Sequence, residues 1–238
     1  QSNFLQSEMC LPFGHAFKCS GTGLTKMPQV TYYARVIVFT ANQITLWTSI
    51  KGTFDFIWKL DLSWNAISTI SPKSFLNYWP LQKLNLSHNA ISSLWPFTLT
   101  KLKYLKHVCF QRNPIRSIYS NAFCGVASLS FLKLNKLQII NIYPMAFCGL
   151  NNLRRLDVSS NDIRALPHKI FECIYDIRDL NISNNRILHS ELNALSALNG
   201  LEVLSSDYSL LCCLLDGVPH CSPPQPDELV CGRILPIR

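Results

Sequence analysis

An asparagine returns every 24 residues through the body of this chain, at Asn65, Asn89, Asn113, Asn161 and Asn185, and no other feature restricts the fold so severely. Leu137 stands on the one missing rung, and Asn42 opens the series one residue short of the interval. Around each rung, apolar residues stand eight, five and three places before and two after. Asn65 is framed by Ile57, Leu60, Leu62 and Ile67, Asn113 by Leu105, Val108, Phe110 and Ile115, and Asn161 by Leu153, Leu156, Val158 and Ile163. A phenylalanine follows ten places after the rung at Phe75, Phe123, Phe147 and Phe171, with Leu99 substituting once. A frame repeated in step this often is not a product of chance.

The frame dictates a stack. Its two closely spaced leucines alternate with polar residues at period two, so each repeat supplies one short strand with its apolar side inward. No single repeat buries its own apolar face; neighbours do so, and the two ends need caps. The rung amide sits where the chain leaves the strand and is suited to backbone groups that the turn leaves unpaired. Leu137 has no such amide, so its turn is expected to be weaker by about 1 kcal/mol per lost hydrogen bond.

This frame resembles the LxxLxLxxN unit of the extracellular leucine-rich repeat. The expected fold is an α/β-type repeat, a leucine-rich-repeat solenoid or horseshoe with a parallel concave β-sheet and disulfide-bonded end caps. Residues 1–33 read as the N-terminal cap, with Cys10 and Cys19 in a Cys-x8-Cys arrangement ahead of Gly21, Gly23 and Pro28. Residues 34–206 hold about seven to eight repeats, and 207–238 form a cysteine-rich C-terminal cap or hinge.

Composition narrows the function. Six of the ten cysteines crowd the two ends of an apolar body, with Cys109, Cys124, Cys148 and Cys173 between, which suits an oxidising compartment. The net charge of +8 favours an acidic partner. The basic residues are scattered rather than blocked, so nucleic acid is not expected. No stretch reaches the roughly 18 apolar residues of a membrane span, and residues 1–9 do not read as a signal peptide. A fragment of this composition is expected to be soluble, and no cofactor is expected.

The tail is more specific. Residues 207–231 read DYSLLCCLLDGVPHCSPPQPDELVC. This is similar to the hinge of leucine-rich-repeat-containing G-protein-coupled receptors, the glycoprotein-hormone and relaxin receptor group. In that family the vicinal cysteines close onto the two later ones just before the first membrane helix. The resemblance implies Cys212 with Cys221 and Cys213 with Cys231, and a membrane domain beyond the C-terminus. Only Leu214 to His220 separate Cys213 from Cys221, which looks more like the short-hinged relaxin-type receptors than the glycoprotein-hormone subgroup. The expected function is that of a receptor ectodomain at the extracellular face of the plasma membrane, binding a protein or peptide ligand on the concave face. The alternative is a secreted or matrix protein-binding module with no membrane domain.

The outward strand positions are the candidate ligand contacts: Lys59, Asp61, Lys83, Asn85, His107, Gln111, Phe131, Lys133, Arg155, Asp157, Arg178 and Asp179. Basic side chains outnumber acidic ones. Relaxin-like ligands are held in the family by acidic receptor residues, so such a ligand is not expected. Asn85-Leu86-Ser87 and Asn181-Ile182-Ser183 are glycosylation sequons, which the repeat consensus also generates by itself. Cys124 and Cys148 occupy equivalent places one repeat apart, in AFCG both times, and read equally as a disulfide or as two free thiols. Cys109 points to the concave face, and Cys173 has no evident partner. Adjacent Cys212 and Cys213 chelate zinc poorly, and no GxSxG, HExxH or phosphate-cradling glycine loop is present, so neither a metal site nor an enzyme is expected.

Overall fold

The computed structural model describes residues 10–28, 30, 33–47, 54–174, 176–188, 194, 195, 198, 200–207, 218 and 220–222. An antiparallel hairpin of β1 (Leu11–Phe13) and β2 (Ala16–Lys18) opens the fold. The coils then contribute β3 (Val36–Val38), β4 (Leu46–Trp47), β5 (Lys59–Asp61), β6 (Thr69–Ile70), β7 (Lys83–Asn85), β8 (Ser93–Leu94), β9 (His107–Cys109), β10 (Ser117–Ile118), β11 (Phe131–Lys133) and β12 (Asn141–Ile142). After these come β13 (Arg155–Asp157), β14 (Asp179–Asn181), β15 (Val203–Ser205) and β16 (His220–Ser222).

From β2 onward the three-residue strands stack in parallel as the concave wall, with Leu60, Leu84, Leu132, Leu156, Leu180 and Leu204 all turned inward and buried. The two-residue strands form the return limb, where β8, β10 and β12 pair in parallel. The sheet also runs beyond residue 206, because β16 pairs with β15 and sets Cys221 opposite Leu204. Among the described residues the buried apolar side chains form one continuous core, which fits a single stack of coils.

The rung asparagines tie coil to coil. Asn89 Nδ2 donates to Leu62 O of the preceding coil and to Leu86 O of its own, each at 3.0 Å, while its Oδ1 accepts the Ile67 N–H at 3.0 Å. Asn113 and Asn161 repeat this pattern, and both are buried. Asn42 does the same toward the cap, with Nδ2 on Cys19 O at 2.7 Å and Oδ1 accepting Leu24 N–H at 3.1 Å. The Cys10–Cys19 disulfide, Cα atoms 4.6 Å apart, closes the apolar end of the stack at that point.

The residue before each rung is left-handed, with φ between 53° and 59° at Ala41, Trp64, His88, Arg112, Lys136, Ser160 and Asn184. None of these is glycine, so each carries backbone strain. Cross-coil bonds offset it: Trp64 N–H donates to Ser87 O and His88 N–H to Gln111 O.

The concave wall is two sheets rather than one. β9 ends the first and β11 begins the second. The break falls where Leu137 replaces asparagine. The same two coils also lose a second motif. In regular coils Asp61, Asn85, Asp157 and Asn181 accept both the N–H and the hydroxyl of the serine two residues on. Cys109 with Gln111, and Lys133 with Asn135, cannot make that turn. Asn135 Oδ1 is buried without a hydrogen-bond partner. The return limb holds the two halves together: β8, β10 and β12 span the break, and the rings of Trp95, Tyr119 and Tyr143 stack across it at 4.4 and 4.7 Å.

Candidate ligand-binding face

Parallel register lays the outward side chains in two columns. Lys59, Lys83 and His107 are successive neighbours in the first, followed beyond the break by Phe131, Arg155 and Asp179. Asp61, Asn85 and Cys109, then Lys133, Asp157 and Asn181, form the second. Lys59, Asp61, Lys83, Asn85, His107 and Cys109 line a shallow hollow of about 270 Å³ over the first half of the wall.

Two expected contacts flank the strands rather than lying within them. Gln111 sits past the end of β9, in the turn, where its carbonyl accepts the His88 N–H at 2.9 Å. Arg178 precedes β14, and its guanidinium is held by Glu202 at 3.0 Å. Both are exposed beside strands only three residues long. The C-terminal half is neutralised internally, since Arg155 meets Asp179 at 3.7 Å and Arg154 meets Asp176 at 3.5 Å.

Sequence reasoning missed the aromatic lining. Trp58, one place before β5, underlies the Lys83 ammonium, 5.6 Å from its ring centre. At the rim Trp64 and His88 stack with centroids 3.6 Å apart. Their 24-residue spacing in the left-handed position is the signal that finds them. Asn85 and Asn181 are half-buried and their oxygens are used by Ser87 and Ser183. Asp61 and Asp157 fill the same role with a carboxylate, so the repeat itself accounts for both sequons.

The cysteine geometry corrects one expectation. Cys148 bonds to Cys173, Cα atoms 4.9 Å apart, and Cys124 is a free thiol, as is Cys109. The bond runs diagonally, 25 residues on rather than 24, to the residue after the equivalent position. The corresponding residue for Cys124 is Gly149, which has no thiol. There the coils approach so closely that a Cβ on Gly149, whose φ is 101°, would come within 2.8 Å of Cys124 Cα and Phe123 O. Cys212, Cys213 and Cys231 lie outside the described residues, and of Cys221 only the backbone is described.

Among the described residues no group of three or more metal-ligating side chains converges, and no helix is long and apolar enough to cross a membrane. The two disulfides belong to an oxidising compartment, extracellular or lumenal.

A curved, open parallel wall built on rung asparagines defines a leucine-rich-repeat protein. The chain belongs to the leucine-rich-repeat family: the model of the BspA type leucine-rich-repeat region matches residues 63–199 in six copies. No curated protein matches the chain. Among solved structures it is similar to TLR13 in the crystal structure of the TLR13–ssRNA13 complex, with 30% identity and a TM-score of 0.63 over 73% of this chain and 26% of that one. It thus spans about a quarter of that relative's length. Internalin C2 from Listeria monocytogenes str. 4b F2365 shares the fold, with 20% identity and a TM-score of 0.57 over 81% of this chain and 80% of that one. The TLR13 complex bears on the charge-based expectation against nucleic acid, because a similar fold is seen there in complex with an RNA.

Proposed function

We propose that this chain is the ligand-capturing part of an extracellular receptor of the leucine-rich-repeat G-protein-coupled type, with a protein or peptide held on the concave wall and a hinge after residue 206 relaying that event. The observation that carries the binding reading is the wall itself. Between Lys59 and Lys133 its outward side chains meet no counter-ion from the chain's own residues, among those described. Side chains so placed are free to exchange water for a partner. The receptor reading adds the tail motif. Its first residue, Asp207, accepts the Asn184 and Asn185 N–H groups and so caps the last complete rung turn, which couples the tail's entry to the stack.

Two experiments test the two levels. A random peptide-display library panned on the secreted chain is expected to give binders that lose affinity on Phe131→Asp, at the exposed centre of the wall, and keep it on Met145→Asp, on the return limb. Binders indifferent to Phe131→Asp, or no binders at all, refute the binding face. For the receptor level, the transcript beyond Arg238 is expected to encode seven apolar segments of membrane-spanning length; an early stop replaces the receptor with a secreted module.

A further inference from the structure

The carboxylates are distributed unevenly to an extreme degree. From residue 62 to residue 156 the chain has no Asp or Glu at all, against eleven Lys and Arg. All five ion pairs among the described residues involve residues at or after 154. The wall is therefore bipolar. Its C-terminal half is balanced by Arg155–Asp179 and Arg178–Glu202. Its N-terminal half presents Lys59, Lys83 and His107 in one column, with Arg35 and Lys106 exposed beside it. The sole acid lining that hollow, Asp61, has an oxygen already occupied by the Ser63 N–H at 3.1 Å and hydroxyl at 2.7 Å.

Resting on the concave-face reading, we infer that this N-terminal hollow is a subsite for the carboxylates of an acidic protein or peptide segment, with Lys59, Lys83 and His107 as its contacts. Stacked strands put successive side chains of a column about 4.8 Å apart. An approaching carboxylate therefore meets two donors at once, and the one acid lining the hollow, Asp61, has an oxygen engaged by Ser63. Trp58 supports the Lys83 ammonium from below and limits the freedom it loses on binding. The concavity concentrates the field of these donors, so the subsite acts on encounter rate and on choice of partner. In the C-terminal half the same contact would first have to break an ion pair.

A single-stranded nucleic acid would also be drawn to this charge, but it needs open aromatic faces on which bases stack. Here Trp64 and His88 each spend one face on the other at 3.6 Å, and the Trp58 face is taken by Lys83. Phe131 is the exposed ring left on the floor of the wall, and it stands beyond the break. The rings serve the protein's own side chains, which favours a polypeptide.

The test uses the peptides panned on the whole secreted chain, together with a random single-stranded RNA pool as a second probe. The wall-dependent peptides are expected to be enriched in Asp and Glu. Affinity is expected to fall at least about ten-fold in Lys59→Gln/Lys83→Gln/His107→Gln, further than in Arg155→Gln/Arg178→Gln, and to stay within about two-fold in Arg116→Gln/Arg164→Gln, exposed positions past the rungs and off the wall, with unfolding temperatures unchanged in all three. Raising salt from 50 to 500 mM is expected to weaken parent binding and to leave the triple variant nearly unaffected. Binders that need Phe131 but carry no acidic residues, or that depend as much on Arg155 and Arg178 as on the three N-terminal residues, overturn the subsite and leave the binding face standing. Binders indifferent to Phe131 overturn both. RNA binding through the same three residues, tighter than any peptide at physiological salt, overturns the ligand class.

Discussion

Asn89→Leu copies into a regular coil what Leu137 does beside the break. The substitution removes the Nδ2 bonds to Leu62 O and Leu86 O, each 3.0 Å, a longer one to Ser87 O at 3.2 Å, and the Oδ1 acceptor of Ile67 N–H at 3.0 Å. The first two carbonyls are not left bare. Leu62 O keeps the Asn65 amide at 3.0 Å, and Leu86 O keeps the Asn113 amide at 2.8 Å. Only the Ile67 N–H is orphaned, in a buried place. An orphaned buried donor costs about 1–3 kcal/mol, and each lost bond to a shared carbonyl costs about 0.5–1 kcal/mol. The leucine's own burial returns about 1 kcal/mol. The net loss is roughly 2–3 kcal/mol, or about 5–10 °C in a chain of this size. Thermal unfolding followed by circular dichroism, with amide exchange at Ile67 in the native state, measures both parts. An unfolding temperature within about 2 °C of the parent, with Ile67 still protected, would refute the claim that rung amides join the coils.

Three further outcomes are expected. Gly149→Ala should destabilise the chain by more than about 1 kcal/mol and more than Gly125→Ala does, because its Cβ meets backbone at 2.8 Å and that of Gly125 only at 3.1 Å; equal unfolding temperatures would contradict the close approach. Tyr78→Phe should be neutral or stabilising by up to about 1 kcal/mol, since the Tyr78 hydroxyl is buried without a partner. The same burial pushes its phenol upward, so the parent should lose stability as pH rises beyond about 10, where the unfolded chain ionises first, and the phenylalanine variant should lose less. Iodoacetamide mass mapping of the native chain should label Cys124 and Cys109, both half-exposed thiols, and leave Cys148 and Cys173 unmodified. Labelled Cys173 would show that the diagonal bond is wrong.

Much of the stack was legible because its period is set by geometry that every coil must share. The inward leucines, the rung amides and the parallel wall follow from residues recurring at a fixed interval. What escaped the frame involves offsets between coils. The Cys148–Cys173 bond needs a step of 25, visible only once adjacent coils are seen to approach diagonally at Gly149. The break in the wall was foreshadowed by Leu137, but its extent also depends on Cys109 and Lys133, which replace the Asp or Asn of the serine turn. Gln111 and Arg178 stand just past and just before three-residue strands, a difference that the repeat frame alone does not mark. The aromatic lining was hidden because a lone tryptophan has no meaning until its neighbour one coil away is known.

Adjacent residues of β13 offer the most direct test of the stack. Leu156 is 2% exposed, whereas the Arg155 side chain is 68% exposed and makes one long ion pair. Leu156→Asp buries a carboxylate with no partner, at a cost of several kcal/mol. Arg155→Ala gives up an exposed pair worth about 0–1 kcal/mol. The secreted yield of the two variants is the measurement. Arg155→Ala is expected to match the parent and Leu156→Asp to be retained unfolded in the cell; equal secretion of both would contradict a wall with leucines inside and a binding face outside.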